Sequence, residues 1–566
     1  MNGTVLSADG EAQLSDTGSK RGGWITFPFI VGAVAGSALC GAGWISNLIV
    51  YLIQEFNMKR IDAAQVSNMV SGFTNLFPLI GAIIADSFLG CFAVVLLFSS
   101  ISLMGMVLLV LTATLGYLKP EPCEIGSTSS CTGGPSKSQF LALYAGIFLA
   151  AIGLGGTSFT IATVGANQFK KAKDRATFFN WFFFTLYVSA TVSSTVIVYI
   201  EDNVSWGLGF GVCLAANVIG LATFISGKRF YHRVRPQGSP FKDIVRVIVA
   251  AIRKRKVVIS SESEDYYHKH DETLSVESRK PKDSFRFLNA AALITEGDIK
   301  PDGSILKPWR LCSVQQVENL KVIIRIFPLW SSSIFLSTPI AILLSLTVLQ
   351  ALTMDRNIGQ NFKIPAGSFP VFVLFSTSVS LLLIDRLLFP MWHKCTHRYP
   401  TPLHRIGVGH VLNVFSMIVA ALVESKRLKI AHSHNVQAMS GSNTVPIMAW
   451  WLFPQLVLVG IGEAFHFPGQ VALYYQEFPL PLKSTGTTLI SLIIGISFYL
   501  STALIDLLRR ISSWLPDDIN NGRLDNVFWT LVVVGVLNFG YYLICSSLYK
   551  YQNVEKEVED VYISEQ

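Results

Sequence analysis

The stretch CFAVVLLFSSISLMGMVLLVLTATLGY, residues 91–117, contains no charged side chain from end to end. A helix of about 20 apolar residues matches a bilayer core roughly 30 Å thick, and this block is apolar on every face rather than along one stripe. Its solvent is lipid. Working outward, blocks of the same kind lie at 27–53, 65–85, 139–165, 177–200, 206–226, 322–350, 368–388, 407–424, 447–474, 484–507 and 526–548, which makes twelve candidate spans. Composition agrees: 51% of residues are hydrophobic and 14% charged, against about 25% charged in soluble domains, and the mean hydropathy is +0.46. The expected fold class is an all-α membrane protein with twelve transmembrane helices. The polar start, Met1 to Lys20, has no apolar core followed by a cleavage site, so the first span is expected to be retained.

Basic residues of short loops stay on the cytoplasmic side. The linker after span four carries Lys170, Lys171, Lys173 and Arg175, and the one after span eight carries Arg386, Lys394, Arg398 and Arg405. Both linkers, and with them both termini, are therefore expected in the cytoplasm. The formal charge of +8 follows from the same rule and implies no nucleic-acid partner. Eight cysteines lack the paired spacing of a zinc or iron-sulfur site, so neither metal nor cofactor is expected. Cys123 and Cys131 fall in a loop placed outside, where a disulfide between them is compatible with the compartment.

One long polar segment, Gly227 to Gln316, divides the spans six and six. The expected organisation is a cytoplasmic tail at 1–26, a six-helix bundle at 27–226, a cytoplasmic linker at 227–321, a second six-helix bundle at 322–549 and a tail at 550–566. Two bundles rocking about a midplane site is how many transporters work. In the linker, Ile244, Val245, Val247, Ile248, Ala251 and Ile252 form an amphipathic stretch ending in the basic run Arg253 to Lys256. That pattern fits a helix on an anionic inner leaflet, and equally a solvated linker helix.

Ionisable groups in hydrocarbon are costly and mark function by default. Asp86, Arg325, Asp385, Glu424 and Asp506 fall at span ends, where side chains can reach water. His410 lies near the start of span nine. Only Glu463 and His466 remain in mid-span, within Gly460-Ile461-Gly462-Glu463-Ala464-Phe465-His466 and just before Pro468. Three residues apart, they share a helix face. One reading is a proton-sensitive gate or substrate-site pair. The other is a neutral Glu463 bonded to a backbone carbonyl of a neighbouring helix.

No Lys or Arg lies in mid-span, so an anion would be attracted by His466, by hydroxyls and amides such as Ser37, Asn47 and Ser158, or by helix N-termini. Tyr187 and Ile340 complete the candidate pathway. No catalytic residues are expected. Span one is dense in small residues from Gly32 to Gly43, which either pack helices closely or widen a pathway.

Several stretches resemble the plant nitrate and peptide transporters, within the proton-dependent oligopeptide transporter group of the major facilitator superfamily. Gly81 to Gly90 is similar to the family's loop after span two, and Thr177 to Phe184 to its span-five signature. Lys307 to Val314 with Val317, Glu318 and Lys321 resembles the start of span seven, and Gly460 to Ala464 with Gly469-Gln470 resembles span ten. The resemblance covers nearly the whole chain and implies the major facilitator fold. It also exposes departures. The family's span-one Glu-x-x-Glu-Arg/Lys motif, associated with proton coupling, corresponds to Val34, Ser37 and Ala38, and its span-four Lys to Ser158. The histidine that binds nitrate in one relative corresponds to Ile340, and a phosphorylatable Thr to Val94. Losing the coupling charges as a set leaves no orphaned ion.

That pattern resembles the nitrate excretion branch, and it implies passive, voltage-driven efflux of nitrate or chloride by alternating access across the plasma membrane. The alternative is a proton-coupled carrier of larger organic solutes (peptides, glucosides or hormones) using Glu463 and His466. A ligand sensor would need a more apolar linker, and no G-x-S-x-G, H-E-x-x-H or P-loop pattern points to an enzyme. The lipid bilayer is the expected surroundings, and a homo-oligomer is compatible with the sequence. Asn203-Val204-Ser205 fits a glycosylation sequon, but its loop is too short to hold a glycan clear of the membrane, whereas Asn2-Gly3-Thr4 is placed inside.

Overall fold

The computed structural model describes residues 22–120, 135–169, 172–232, 240–260, 262, 265–268, 281–301, 304–359, 362–397, 400–433, 444–478, 480–516, 518–549 and 551. Most of both tails, the loop that holds Cys123 and Cys131, and the pair Lys170 and Lys171 lie outside them.

Among the described residues, twelve helices are long and apolar enough to cross a membrane. Spans one to six are Gly23–Ser46, Arg60–Leu89, Cys91–Thr114, Lys137–Ala166, Trp181–Asn203 and Trp206–Arg229. Spans seven to twelve are Val314–Leu352, Ala366–Thr396, Pro402–Ser433, Ala449–Tyr474, Thr488–Ile511 and Leu524–Leu548. Within the first six, span one packs on five and six, span four on two and three, and span three on six. Adding six to every number gives the packing of the second half: seven on eleven and twelve, ten on eight and nine, nine on twelve. The chain is thus two six-helix bundles with one internal plan, joined face to face through spans two and eleven, five and eight, and two and seven. Spans two and eight also share a π-helical turn, at Ala85–Leu89, where span two ends, and at Ile384–Leu388, after which span eight continues to Thr396.

Small residues set the close crossings. A Cβ on Gly36 would lie 2.4 Å from Ala216 O and 2.7 Å from Gly220 Cα, so spans one and six touch backbone to backbone there. Gly41 meets Leu154 of span four, and Gly43 meets Cys213 of span six. The small-residue stripe of span one therefore serves packing. Gly36→Val is expected to cost roughly 1–3 kcal/mol by overpacking, read as a lower melting temperature of the purified protein.

Span one is shorter than the block at 27–53. Its helix ends at Ser46, Asn47 interrupts it, and a second helix follows at Leu48–Phe56. Span nine is longer than its apolar block and runs on to Ser433. Glu424, expected to reach water, is fully buried there, because its bidentate partner Arg427 lies one turn further along the same helix. Nε and Nη2 of Arg427 donate to the two Glu424 oxygens at 2.8 and 2.6 Å, and the remaining donors reach Asn520 Oδ1, Thr353 Oγ1 and Ile519 O. Gln350 of span seven adds a 2.6 Å bond to Glu424. Span seven, span nine and the turn before span twelve are tied at this point.

The linker folds on itself. Its helix Pro240–Arg253 buries Val247, Ala250 and Ala251 with Leu288, Ala291 and Ala292 of the turn at Arg286–Ala292. One apolar face is therefore covered by protein, while Val245, Ile248 and Ile252 stay exposed. Lys254 and Asp298, both buried, pair at 2.7 Å. Burial works against the Asp298 charge, but the Lys254 ammonium and Thr295 hydroxyl bonded to it hold its carboxyl below the usual range. Lys321 anchors the linker to span seven through the Lys282 carbonyl at 2.7 Å.

Candidate functional site

A cavity of about 290 Å³ lies between spans five, seven, eight, ten and eleven. Three residues singled out from the sequence meet there: Tyr187 from span five, Ile340 from span seven and Glu463 from span ten. Among the described residues Glu463 is the one charged side chain in the lining, and it makes no hydrogen bond or ion pair there. Most of the remaining wall is apolar, with Leu344, Leu374, Phe467, Ile494 and Phe498 among its residues.

Hydroxyls supply the other polar atoms. Thr377 Oγ1 is spent on the Val373 and Gly460 carbonyls at 2.8 and 3.1 Å. Ser497 Oγ is spent on Ile334 O at 3.0 Å. Ser337 is different: its Oγ is buried and unbonded, and with Tyr187 it leaves two hydroxyls free to turn toward a solute. Ser337 sits one turn before Ile340 on the same face, so the choice of Ile340 carried a signal for it. Phe467 and Phe498 had no sequence signal beyond apolarity, whereas Pro468 was marked by its place just after the Glu463 and His466 pair.

The remaining candidates lie elsewhere. His466 diverges from Glu463 although it is only three residues on: its ring stands 5.6 Å from that of His410 in span nine, and Gly409 packs on its Cβ. His410 in turn stacks on Tyr542 at 4.6 Å. Ser158 returns its hydroxyl to its own helix, at 2.7 Å from Leu154 O. Val34 and Ala38 are buried in the packing of span one, Ser37 is half-buried, and Asn47 is buried at the break between helices.

One end of the pathway is held shut. Asp62 of span two pairs with Arg509 of span eleven at 2.6 Å, and Gln65 donates to Asp506 at 2.8 Å. Arg60 approaches Asp518 at 3.7 Å, and Asp202 approaches Arg356 at 3.8 Å. Every one of these contacts joins one bundle to the other. Asp506, expected to face water, is thus part of the closure.

Two matched bundles, closed at one end over a cavity with a single carboxylate, define a multi-pass membrane transporter. The sequence pattern of the POT family matches residues 92–520. Protein NRT1/PTR FAMILY 2.7 of Arabidopsis thaliana is 54% identical, over 98% of this chain and 96% of its own length. Protein NRT1/PTR FAMILY 2.6 of the same plant is 53% identical, over 98% of both. Among solved structures, an auto-inhibited POT family peptide transporter superposes with a TM-score of 0.67 at 15% identity, over 93% of this chain and 97% of that one. The chain belongs to the POT family.

Proposed function

We propose that this transporter carries nitrate, or chloride, passively down its electrochemical gradient, by rocking of the bundles at 27–226 and 322–549 about the cavity, with net export driven by an inside-negative potential. The observation that carries this reading is the absence of charge at four positions of spans one and four: Val34, Ser37, Ala38 and Ser158 stand where the resemblance puts the coupling carboxylates and their basic partner. Two of them are packing residues, and Ser158 bonds to its own backbone. With no cation in the cavity lining and two free hydroxyls, an anion is held weakly, and weak binding suits high throughput down a gradient better than uphill capture. The plasma membrane, with both termini in the cytoplasm, is the location that fits such export, and it places the bonded end of the pathway outside.

The second reading, a proton-coupled carrier of larger organic solutes, is favoured by Glu463 facing a mostly apolar cavity. It has less support from His466, which packs against His410 outside that lining.

Labelled-nitrate efflux from proteoliposomes, at equal pH on both sides and with voltage clamped by potassium and valinomycin, separates the two. Flux that follows voltage and the nitrate gradient is the expected result. Flux that starts only when a proton gradient is imposed would overturn the first reading.

A further inference from the structure

At the bonded end of the molecule lies a polar cavity of about 490 Å³, whose lining includes Glu55, Lys119, Glu201 and Asp202. Two of these acids have a cation. Lys119 Nζ stands 2.6 Å from Glu55, and Arg356 of the opposite bundle stands 3.8 Å from Asp202. Glu201 has none. The residue is 2% exposed, and both carboxyl oxygens are buried without a hydrogen bond. Its stem fills the space left by Gly209 of span six, where a Cβ would come within 2.2 Å of Glu201 Cγ.

The carboxyl faces Asn47, at the break in span one, whose buried side-chain amide is a donor within reach; that amide is neutral, and the two groups stand outside hydrogen-bond geometry. Asp202 on its own helix, Cys213 of span six, and Glu55 and Lys119 across the cavity are the titratable groups around it. None of them is bonded to Glu201. A carboxylate taken from water without a counter-charge costs several kcal/mol, so this arrangement is complete only when a positive charge is supplied. A metal ion would need a shell of ligands. Among the described residues no group of three or more His, Cys, Asp or Glu is placed to hold one.

We propose that Glu201 is a proton-binding site, and that a proton held there allows the two bundles to close over this end of the pathway. The neighbouring residue, Asp202, makes one of the contacts that joins the bundles. Parting Asp202 from Arg356 admits water to Glu201, where the ionised carboxylate is solvated. Closing again buries it and requires the proton. By linkage, protons therefore favour the closed end, by up to about tenfold per pH unit for a single site. The inference is independent of which solute is carried.

Hydrogen–deuterium exchange of the full-length protein in nanodiscs tests it without any transport readout. Exchange corrected for its intrinsic pH dependence is followed from about pH 5.5 to about pH 8.5 in peptides covering Arg60 to Gln65 and Asp506 to Asp518. In the wild type, protection is expected to fall as pH rises. In Glu201→Gln, neutral at every pH, it is expected to stay high and flat, and Glu201→Asp is expected to restore the pH dependence. A pH dependence that survives in Glu201→Gln, or is absent from the wild type, overturns the proposal. So does protection that follows sodium, potassium or calcium concentration at fixed pH.

Discussion

Glu463→Gln is expected to keep voltage-driven nitrate flux and to raise it by roughly three- to tenfold wherever the wild-type carboxyl is ionised. Among the described residues Glu463 is the one charged group lining the cavity between spans five, seven, eight, ten and eleven, and an anion in that space meets its negative charge at short range. At an effective dielectric between that of water and that of a protein surface, a repulsion of about 1 kcal/mol at roughly 4 Å is the lower bound, which corresponds to several-fold in rate. Glutamine keeps the size and the acceptor oxygen and removes the charge. The proton-coupled reading requires the opposite result, because a carrier that takes its proton on Glu463 loses uphill transport with it. The two outcomes differ in sign. Initial rates from the proteoliposome assay decide between them, and a variant silent under voltage alone would remove the passive reading.

Arg427→Met is expected to cost roughly 3–5 kcal/mol, because it leaves Glu424 buried with its counter-charge and two of its hydrogen bonds gone. The present arrangement is fully satisfied: all five guanidinium N–H groups have acceptors, drawn from Thr353 just past the end of span seven, from span nine and from the turn before span twelve. Methionine fills much of the same volume, so the loss is chiefly electrostatic. The double variant Glu424→Leu with Arg427→Met is expected to recover most of it, since replacing both charges leaves no buried ion. Thermal unfolding of the three proteins in one detergent measures this. A single variant that melts with the wild type would show that the pair contributes nothing.

These predictions draw on different levels of the molecule. Glu463 was visible in the sequence, because a carboxylate inside an apolar block has no ordinary reason to be there. Arg427 was not, because the apolar block of span nine stops at Glu424 and the helix does not. A helix continues past its lipid-facing stretch whenever tertiary partners satisfy its polar side chains, and Gln350, Thr353 and Asn520 do that here. The same limit hid Glu201. At the end of a span it reads as a residue able to reach water. Only the packing of Gly209, Asn47 and the opposite bundle closes that route.

Sequence by itself determined the medium, the number of spans and the division into two halves, because a bilayer core demands about 20 apolar residues per crossing whatever the neighbours are. It also determined the missing charges of spans one and four, which are a matter of composition at fixed positions. Tertiary structure alone decided which candidates share a cavity. Tyr187, Ile340 and Glu463 converge there from three helices far apart in the chain, while His466, three residues from Glu463, turns to His410. It also decided which acids are paired: Asp62, Asp202 and Asp506 find partners across the two bundles, and Glu201 finds none. Helical period fixes the direction of a side chain relative to its own axis. What stands opposite depends on how the axes cross, and that is set by contacts such as Gly36 against Gly220, which no single helix contains.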